Sequence, residues 1–212
     1  MSTGKSRRDQ FSEATRAALL EAATHRFATL GFAGTSLEDV AADIRATRGA
    51  VYHHFSSKKA LFEAVFEKLE TEAVHHSRSA GERGDNPWQR AFLALDAFLE
   101  TCSDPVHGRV VWQEAPLALG WAQWEELERK FAFGLIEEHL RALMECGYIE
   151  PLPLDTTAKI AFAMLGAAGK ALSVAGEADK PRLRDEYRMV IGQMLAGLVI
   201  KPRRDEAAAR TR

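Results

Sequence analysis

The stretch LEDVAADIRATRGAVYHHFSSKKALF, residues 37–62, decides how the chain folds. Its first part has apolar residues at helical spacing behind a candidate N-cap at Ser36, and Asp39 stands three residues after that cap. The pattern breaks at RAT and resumes at Thr47, a second candidate N-cap, in a helix that ends near Phe55. Two short helices joined by a tight turn predict a helix-turn-helix unit.

Helical patterns also run through the rest of the chain, and no segment alternates apolar and polar residues as a half-buried strand would. Before the quoted stretch, a helical pattern ends at Gly31, a residue suited to a left-handed C-terminal cap. After it, the run SAGERGDNP at 79–87 predicts a loop, with Asn86 and Pro87 starting the next helix. We therefore predict an all-α fold of about nine helices without an internal repeat.

The composition indicates a soluble globular protein. Of the 212 residues, 46% are hydrophobic and 27% are charged, and no uninterrupted apolar run approaches the ~18 residues that a membrane span needs. The first residues are polar and lack the apolar core of a signal peptide, and the two cysteines, Cys102 and Cys146, lie in separate helical patterns. We expect a cytoplasmic protein without disulfides and without a membrane partner.

Charge is divided unevenly along the chain, although the net charge of −2 argues by itself against a polyanionic partner. Residues 1–60 carry nine Lys and Arg against six Asp and Glu, which is a net charge of +3. The other residues carry 19 basic and 24 acidic side chains, a net charge of −5. This division fits a nucleic-acid-binding region on an acidic body, and it fits an ordinary solvated surface about as well.

The second helix of the helix-turn-helix unit has the side chains that DNA recognition requires. Val51 and Phe55 lie four residues apart and suit packing on the first helix of the unit. The other positions hold polar, aromatic or small residues that can approach base edges and phosphates in a major groove. These positions are Arg48, Gly49, Ala50, Tyr52, His53 and His54.

The segment AATHRFATLGFAGTSLEDVAADIRATRGAVYHHFSSKKALFEAV, residues 22–65, resembles the N-terminal DNA-binding domain of the TetR/AcrR family of transcriptional repressors. The motifs RFATLGFAGTS and GAVYHHFSSKKAL and their spacing carry the resemblance. It implies a three-helix DNA-binding domain in residues 1–60 and a helical domain for effector binding and dimerisation in residues 61–200. We expect residues 201–212 to form a disordered tail. By the same resemblance, the DNA contacts are Thr35, Ser36, Arg48, Gly49, Ala50, Tyr52, His53, His54 and Lys58.

Arg45 departs from the family pattern, because family members commonly have a glycine at this end of the first helix of the unit. Either the turn is remodelled, or Arg45 takes a left-handed backbone conformation at a cost of ~1 kcal/mol. An arginine here also offers an additional phosphate contact. We therefore include Arg45 among the candidate DNA-binding residues.

The sequence disfavours metal binding and catalysis. Adjacent histidines occur at His53 and His54 and at His75 and His76, but neighbours on a helix point about 100° apart, and no cysteine or carboxylate completes a ligand set. The chain has no Gly-x-Ser-x-Gly elbow, no His-Glu-x-x-His pair and no phosphate loop. We expect no metal, no cofactor and no enzymatic activity.

Aromatic and apolar residues crowd the middle of the chain, where all four tryptophans lie between residues 88 and 124. Most of them must be core, but the proline-broken run QEAPLALGW is a place where helices diverge and a cavity can open. We expect a largely apolar ligand pocket there, to which His139 and Glu114 would add polarity, although a surface position explains each of these two residues at least as well. The candidate ligand contacts are Leu95, Phe98, Leu99, Trp112, Leu117, Trp121, Trp124, Leu135, His139, Phe162 and Leu165.

The last two predicted helices, about 155–174 and 181–199, carry small residues among large apolar ones. Small residues let helices approach closely, as in a dimer face made of two helices from each subunit. The last core helices of a monomer would show a similar pattern. The candidate dimer residues are Gly166, Gly169, Met189, Gly192, Gln193 and Ala196.

Together these expectations describe a homodimeric transcriptional regulator, a repressor that binds double-stranded DNA at a near-palindromic operator. A small, largely apolar effector would release it. One alternative is a DNA-binding protein that needs no effector, with a pocket that is only packing. The other is an all-helical enzyme that acts on a lipophilic substrate.

Overall fold

The computed structural model describes residues 7–199, and the expectation of a disordered tail at 201–212 lies outside them. Its helices are α1 (Arg7–Leu30), α2 (Leu37–Asp43), α3 (Arg48–His54), α4 (Lys58–Glu82), α5 (Pro87–Ser103), α6 (Pro105–His107), a π-helical turn (Gly108–Glu114), α7 (Ala115–Leu119), α8 (Trp121–Glu145), α9 (Leu154–Val174) and α10 (Lys180–Gly197). The segment from α6 to α7 is continuous, and residues 7–199 form nine helices when it is counted once. Within these residues there is no strand, only an isolated bridge between Ile149 and Val199. The all-α prediction is confirmed.

Side-chain caps fix the helix starts around the helix-turn-helix unit, which consists of α2 and α3. Ser36, Thr47 and Ser57 lie in extended backbone, and each hydroxyl accepts a hydrogen bond from a backbone N–H three residues on. The Ser36 hydroxyl also donates to the Asp39 carboxylate at 2.6 Å. The predicted N-caps Ser36 and Thr47 are confirmed, and Ser57 caps α4 in the same way.

Two residues with positive φ shape the turns of the head, the name used below for α1–α3. Gly31 ends α1 with a φ of 73°, as its position in the sequence predicts. Arg45 has a φ of 55° and is the one non-glycine residue with positive φ within 7–199. The arginine therefore takes the left-handed conformation that glycine would take more readily.

The head shares its core with the body, the name used below for α5–α10. Val40 and Val51 of the helix-turn-helix unit are fully buried and pack with Phe27 of α1 and Phe62 of α4. The Phe27 and Phe62 rings meet edge to face, with centroids 4.9 Å apart. The same cluster continues to Leu172 of α9. This core crosses residue 60, where the sequence predicts the boundary between two domains. That boundary stays a prediction.

The helix α4 is longer than the sequence indicates, and the predicted loop at 79–87 is wrong for its first four residues. The helix continues through Gly81. At this position α5 lies so close that a Cβ would be 3.2 Å from the Arg90 carbonyl oxygen. The glycine thus provides space for a neighbouring helix instead of ending its own. The next helix starts as predicted, with Asn86 as N-cap and Pro87 in the first turn.

The irregular segment between α5 and α8 owes its shape to Pro116. The Ala115 N–H donates to the Val110 carbonyl five residues back, which is the π-helical register. In that register the Val111 carbonyl would next receive the N–H of residue 116, but proline has none. The indole N–H of Trp124 takes this place and donates to the Val111 oxygen at 3.0 Å. Gly120, with a φ of 86°, then turns the chain into α8.

The helix α9 is apolar but little buried. Among the described helices it is the one whose length and composition would suffice to cross a membrane, and 22% of that window is buried. Lys159 and Lys170 lie within this helix. It is therefore not an uninterrupted apolar run, and the prediction that the chain has no such run of membrane-spanning length is compatible with this finding. Core helices of soluble proteins meet the same criterion, and the low burial leaves an apolar surface that the chain itself does not cover.

Candidate functional site

The outer face of α3 is open to solvent. Arg48, Gly49, Tyr52 and His53 are exposed, whereas Val51 on the opposite face is fully buried in the head. Ala50 and His54 lie half-buried at the margin of the face, and Arg45 is exposed just before it. The structure thus brings seven of the ten predicted DNA-binding residues onto or next to one surface, where their roles stay predictions.

A carboxylate holds the polar groups of this face. Arg48 Nε lies 3.1 Å from Glu38 Oε1, and the Tyr52 hydroxyl donates to the same oxygen at 3.4 Å. The guanidinium also lies over the Tyr52 ring, 5.3 Å from its centroid. Glu38 of α2 therefore orients both side chains, and the terminal N–H groups of the exposed Arg48 guanidinium stay free to contact a base or a phosphate.

The other three predicted DNA contacts are engaged inside the head. Thr35 is buried and donates its hydroxyl to the Gly31 carbonyl at 2.9 Å, so a phosphate contact by its side chain would need this bond to break and stays a prediction. The Lys58 ammonium donates to the Phe32 carbonyl at 2.9 Å and lies 4.3 Å from the Phe32 ring centroid. Ser36 is half-buried as the α2 cap. The sequence motif did not show that these groups already have partners.

The body holds a cavity of about 420 Å³ between α4, α5, α8, α9 and α10, which is partly open to solvent and lies in the range of small-molecule sites. Its wall is almost entirely aliphatic and aromatic. Seven of the eleven predicted ligand contacts line it. They are Leu95, Phe98, Trp112, Leu135, His139, Phe162 and Leu165. Their contact with a ligand stays a prediction.

The remaining four predicted ligand contacts do not line the cavity. Leu99 is fully buried in the core that joins head and body. Leu117 and Trp121 point outward and are 81% and 57% exposed. Trp124 is committed to the Val111 carbonyl. The structure therefore places none of the four on the cavity wall: Leu99 lies on the core side of α5, and the other three belong to the α7–α8 corner that follows the π-helical turn. A count of apolar residues does not reveal this arrangement, and their contact with a ligand stays a prediction.

Polar groups converge at one end of the cavity, and the sequence analysis missed them. Glu70, His107 and Glu128 line it and are each at least nine-tenths buried. His107 Nε2 lies 3.1 Å from Glu70 Oε1. A signal was available, because Glu70 follows Phe66 and Glu128 follows Trp124 at a spacing of four, which places each acid on the buried side of its helix.

Burial shifts the pKa of two groups in the cavity wall, Glu128 and His139. Desolvation, and then the nearby Glu70, raise the pKa of Glu128 well above its ordinary value. Burial likewise lowers the pKa of His139, further along the cavity. Glu128 Oε1, His107 Nδ1 and His139 Nε2 are buried without a hydrogen-bond partner. Such atoms are costly in an apolar interior unless a ligand or water meets them.

Glu114 connects the body to the head and does not line the cavity, which corrects its predicted place. Its carboxylate accepts a hydrogen bond from the Phe32 N–H at 2.8 Å and pairs with Arg109 at 2.7 Å. A Cβ on Gly31 would lie 2.9 Å from the carboxylate oxygens, so the glycine also permits this contact. Trp112, two residues before Glu114 in the π-helical turn, lines the cavity.

The predicted dimer residues divide into two groups. Met189, Gln193 and Ala196 are exposed on one side of α10. Gly192 is instead buried against the Phe92 ring, and Gly169 against the Trp112 indole, where a Cβ would clash. Gly166 lines the cavity. The small size of Gly169 and Gly192 thus serves packing within the chain, and their place in a dimer contact stays a prediction that this packing does not favour.

An apolar surface nevertheless remains on the last two helices. Ile160 and Val174 of α9 and Met189, Val190 and Met194 of α10 are all exposed, and two of them, Ile160 and Met194, also line the cavity. We call these five residues the α9–α10 face. Separately, the part of the chain between residues 7 and 199 contains no group of three His, Cys, Asp or Glu side chains suited to a metal ion.

Family models match both parts of the chain. The model described as bacterial regulatory proteins, tetR family, matches residues 19–65, which include the helix-turn-helix unit. The model described as tetracyclin repressor-like, C-terminal domain, matches residues 88–198, more than half of the chain.

Individual relatives agree with this result. The HTH-type transcriptional regulator TtgR of Pseudomonas putida is 38% identical over 69 residues, which cover 32% of this chain and 33% of TtgR. The probable acrEF/envCD operon repressor of Escherichia coli is 30% identical over 128 residues, 59% of this chain and 56% of that protein. The chain thus spans about a third of the length of the first of these curated relatives and just over half of the second.

A solved structure extends the likeness over nearly the whole chain. A TetR-family transcriptional regulator from Pectobacterium atrosepticum superposes with a TM-score of 0.79 at 27% identity, covering 94% of this chain and 100% of that one. The fold is therefore that of a helix-turn-helix regulator with a helical C-terminal domain. The chain belongs to the TetR family of bacterial regulatory proteins.

Proposed function

We propose that the protein is a homodimeric transcriptional repressor that binds a near-palindromic DNA operator and leaves it when a small, largely apolar molecule occupies the cavity. The observation that carries the DNA-binding role is the exposed polar face of α3, with Arg48 and Tyr52 held outward by Glu38. The relatives named above are a transcriptional regulator and an operon repressor, and they support regulation over catalysis. A DNA-bound role places the protein in the cytoplasm.

Dimerisation is supported by the α9–α10 face. An uncovered set of large apolar side chains on two adjacent helices is a common subunit contact, because burying it removes apolar surface from water. Two subunits related by a two-fold axis would present two α3 helices to successive major grooves. This arrangement explains why an operator of near-palindromic sequence is expected.

Two elements contact both the cavity and the head, and they support a mechanical connection between ligand binding and DNA binding. The helix α4 packs in the head through Leu61 and Phe62 and lines the cavity through Glu70 and Ser77. The π-helical turn lines the cavity with Trp112 and holds the end of α1 with Glu114. A ligand that displaces either element would move the head, but only by as much as its affinities for the two states differ.

The DNA-binding role is tested with genomic fragments of the host. Fragments selected on the full-length protein should yield one site-selective complex whose affinity falls steeply with salt. Arg48→Ala and Tyr52→Ala should each weaken that complex by about 1–3 kcal/mol. Arg129→Ala, an exposed arginine on α8, is the matched control and should bind DNA as the parent does. Complexes that are insensitive to both head substitutions would refute the proposal.

Ligand binding distinguishes the proposed effector-dependent repressor from the effector-independent alternative. A protein whose cavity is only packing would show no compound-dependent rise in melting temperature and no compound-dependent release of DNA. An accessible volume of about 420 Å³ with unpaired polar atoms favours the effector-dependent form. Screening for release from the selected fragments decides between the two.

A further inference from the structure

The polar end of the cavity shows which class of effector it suits, an inference that rests on the proposed effector role. Three helical elements bring their acidic and imidazole groups to this end: Glu70 from α4, His107 from α6 and Glu128 from α8. The rest of the wall is apolar. A ligand that fills the space therefore needs an apolar body and one polar group.

The charge of the lining determines the sign of that polar group. The described residues that line the cavity include two carboxylic acids and two histidines, but no lysine or arginine. An anionic head group would lie beside Glu70 and Glu128 without a basic partner, which is unfavourable in an apolar interior. A cationic group would find there the Glu128 carboxyl, whose Oε1 atom has no partner, with the Glu70–His107 pair beside it.

One acceptor site is already available for a cation. Glu128 is 4% exposed, and its Oε1 atom has no partner, whereas Glu70 is engaged with His107. A buried carboxyl in this situation pairs with an ammonium group at short distance and with little competition from water.

We propose that the cavity binds lipophilic cations, molecules with an apolar body and a protonated amine that pairs with Glu128. When the amine enters, the Glu128 carboxyl gives its proton to solvent and the carboxylate stays as the counter-ion. No bond in the ligand changes. The groups around Glu128 are Glu70 on α4, His107 on α6 and the Cys102 thiol on α5, and no described residue of the cavity wall supplies a competing cation other than a protonated histidine.

Three probes with the same ten-carbon chain test the charge preference on the full-length protein. They are n-decylamine, 1-decanol and decanoate, and binding is followed by calorimetry. We expect decylamine to bind at least about tenfold more tightly than decanol, which corresponds to ~1.4 kcal/mol, and decanoate to bind most weakly. Decylamine affinity should rise from pH 6 to pH 8 and its binding should release protons, whereas decanol affinity should stay constant.

Glu128→Gln isolates the carboxylate while keeping the shape of the side chain. This variant should lose at least about tenfold in decylamine affinity and most of the pH dependence, and it should keep decanol affinity within about threefold. The matched control is Glu126→Gln, an exposed acid on the same helix, which should bind all probes as the parent does. Equal affinity for amine and alcohol, or an unchanged Glu128→Gln variant, would overturn the inference.

The experiment separates this inference from the proposed function. If decanol binds as well as decylamine and releases operator DNA, the effector role stands and the cation preference falls. If none of the probes binds while operator binding persists, the cation inference is overturned and the effector-independent alternative gains support. If the parent binds no operator, the DNA-binding proposal fails regardless of the probes.

Discussion

At the scale of single residues, Arg45 has an unfavourable backbone conformation in the turn of the helix-turn-helix unit. Its φ of 55° is in the left-handed region, which costs a residue with a Cβ roughly 1–2 kcal/mol relative to glycine. The side chain is exposed and sits beside α3, where an additional phosphate contact would offset the strain in the complex.

Replacing this arginine with glycine should stabilise the free protein. We expect Arg45→Gly to raise the free energy of unfolding by about 0.5–1 kcal/mol, because the relief of strain exceeds the added entropy of the unfolded chain. Thermal melting measures the change. The same exchange within a helix, Arg129→Gly on α8, should have the opposite sign and cost about 1 kcal/mol. A lower melting temperature for Arg45→Gly would contradict the assignment of strain.

Glu128 predicts a pH dependence of stability whose sign follows from its environment. Because its pKa in the fold is raised above the ordinary 4.5, the folded state binds more protons than the unfolded state above that pH. Its contribution to stability is therefore full below about pH 4.5 and is lost as the pH rises through the folded-state pKa. Glu128→Gln should exceed the parent in stability by a margin that grows as the pH rises from 5 to 8, measured by urea unfolding. A margin that shrinks with rising pH would show the opposite shift.

At the scale of elements, the π-helical turn packs against α8 and also contacts both the cavity and the head. In its register the Val111 carbonyl accepts a hydrogen bond from the Trp124 indole instead of a backbone N–H, and this bond fixes the turn against α8. It also directs Trp112 toward the cavity and Glu114 toward the end of α1. The turn therefore contacts the cavity and the head with residues two positions apart.

Removing Glu114 should loosen the end of α1. In Glu114→Ala the Phe32 N–H loses its acceptor, and we expect its amide hydrogen to exchange at least about tenfold faster, equivalent to ~1.4 kcal/mol. Hydrogen exchange by NMR or mass spectrometry measures this effect. Glu125→Ala, an exposed acid on α8, serves as control and should leave the exchange of Phe32 unchanged. Equal protection in both variants would show that the contact does not hold the head.

At the scale of the whole molecule, the α9–α10 face determines the expected assembly. Its exposed methionines and aliphatic residues lie on the two helices farthest along the chain from the head. Joining two copies there would leave both α3 faces free. It would also make α9, apolar enough in composition for a membrane, an interior helix of the dimer.

A single charge on this face should separate the subunits. We expect Met189→Glu, at a position of this face that does not line the cavity, to weaken dimerisation by at least about tenfold, because the carboxylate would have to be buried without a partner. Sedimentation or light scattering measures the mass in solution. Leu117→Glu, at an exposed apolar position on α7, is the control and should keep the mass of the parent. If only the Leu117 variant dissociates, the subunit contact lies at the α7–α8 corner instead.

The sequence by itself determined the features that depend on local spacing. The N-caps at Ser36, Thr47 and Ser57, the left-handed glycine at Gly31 and the opposite faces of α3 follow from residues within a few positions of one another. Local hydrogen bonds and steric preferences decide such features, so the all-α class and the helix-turn-helix unit could be predicted.

Tertiary structure alone decided where distant groups meet. Glu114 reaches Phe32 across 82 positions of sequence, and Glu70 meets His107 across 37. It also decided that Gly169 makes room for Trp112 and not for a partner subunit. Apolar residues at helical spacing show that a side chain is buried, but not against which neighbour. The neighbour depends on how whole helices are placed, and here the α7–α8 corner that follows the π-helical turn contributes none of its predicted residues to the cavity wall.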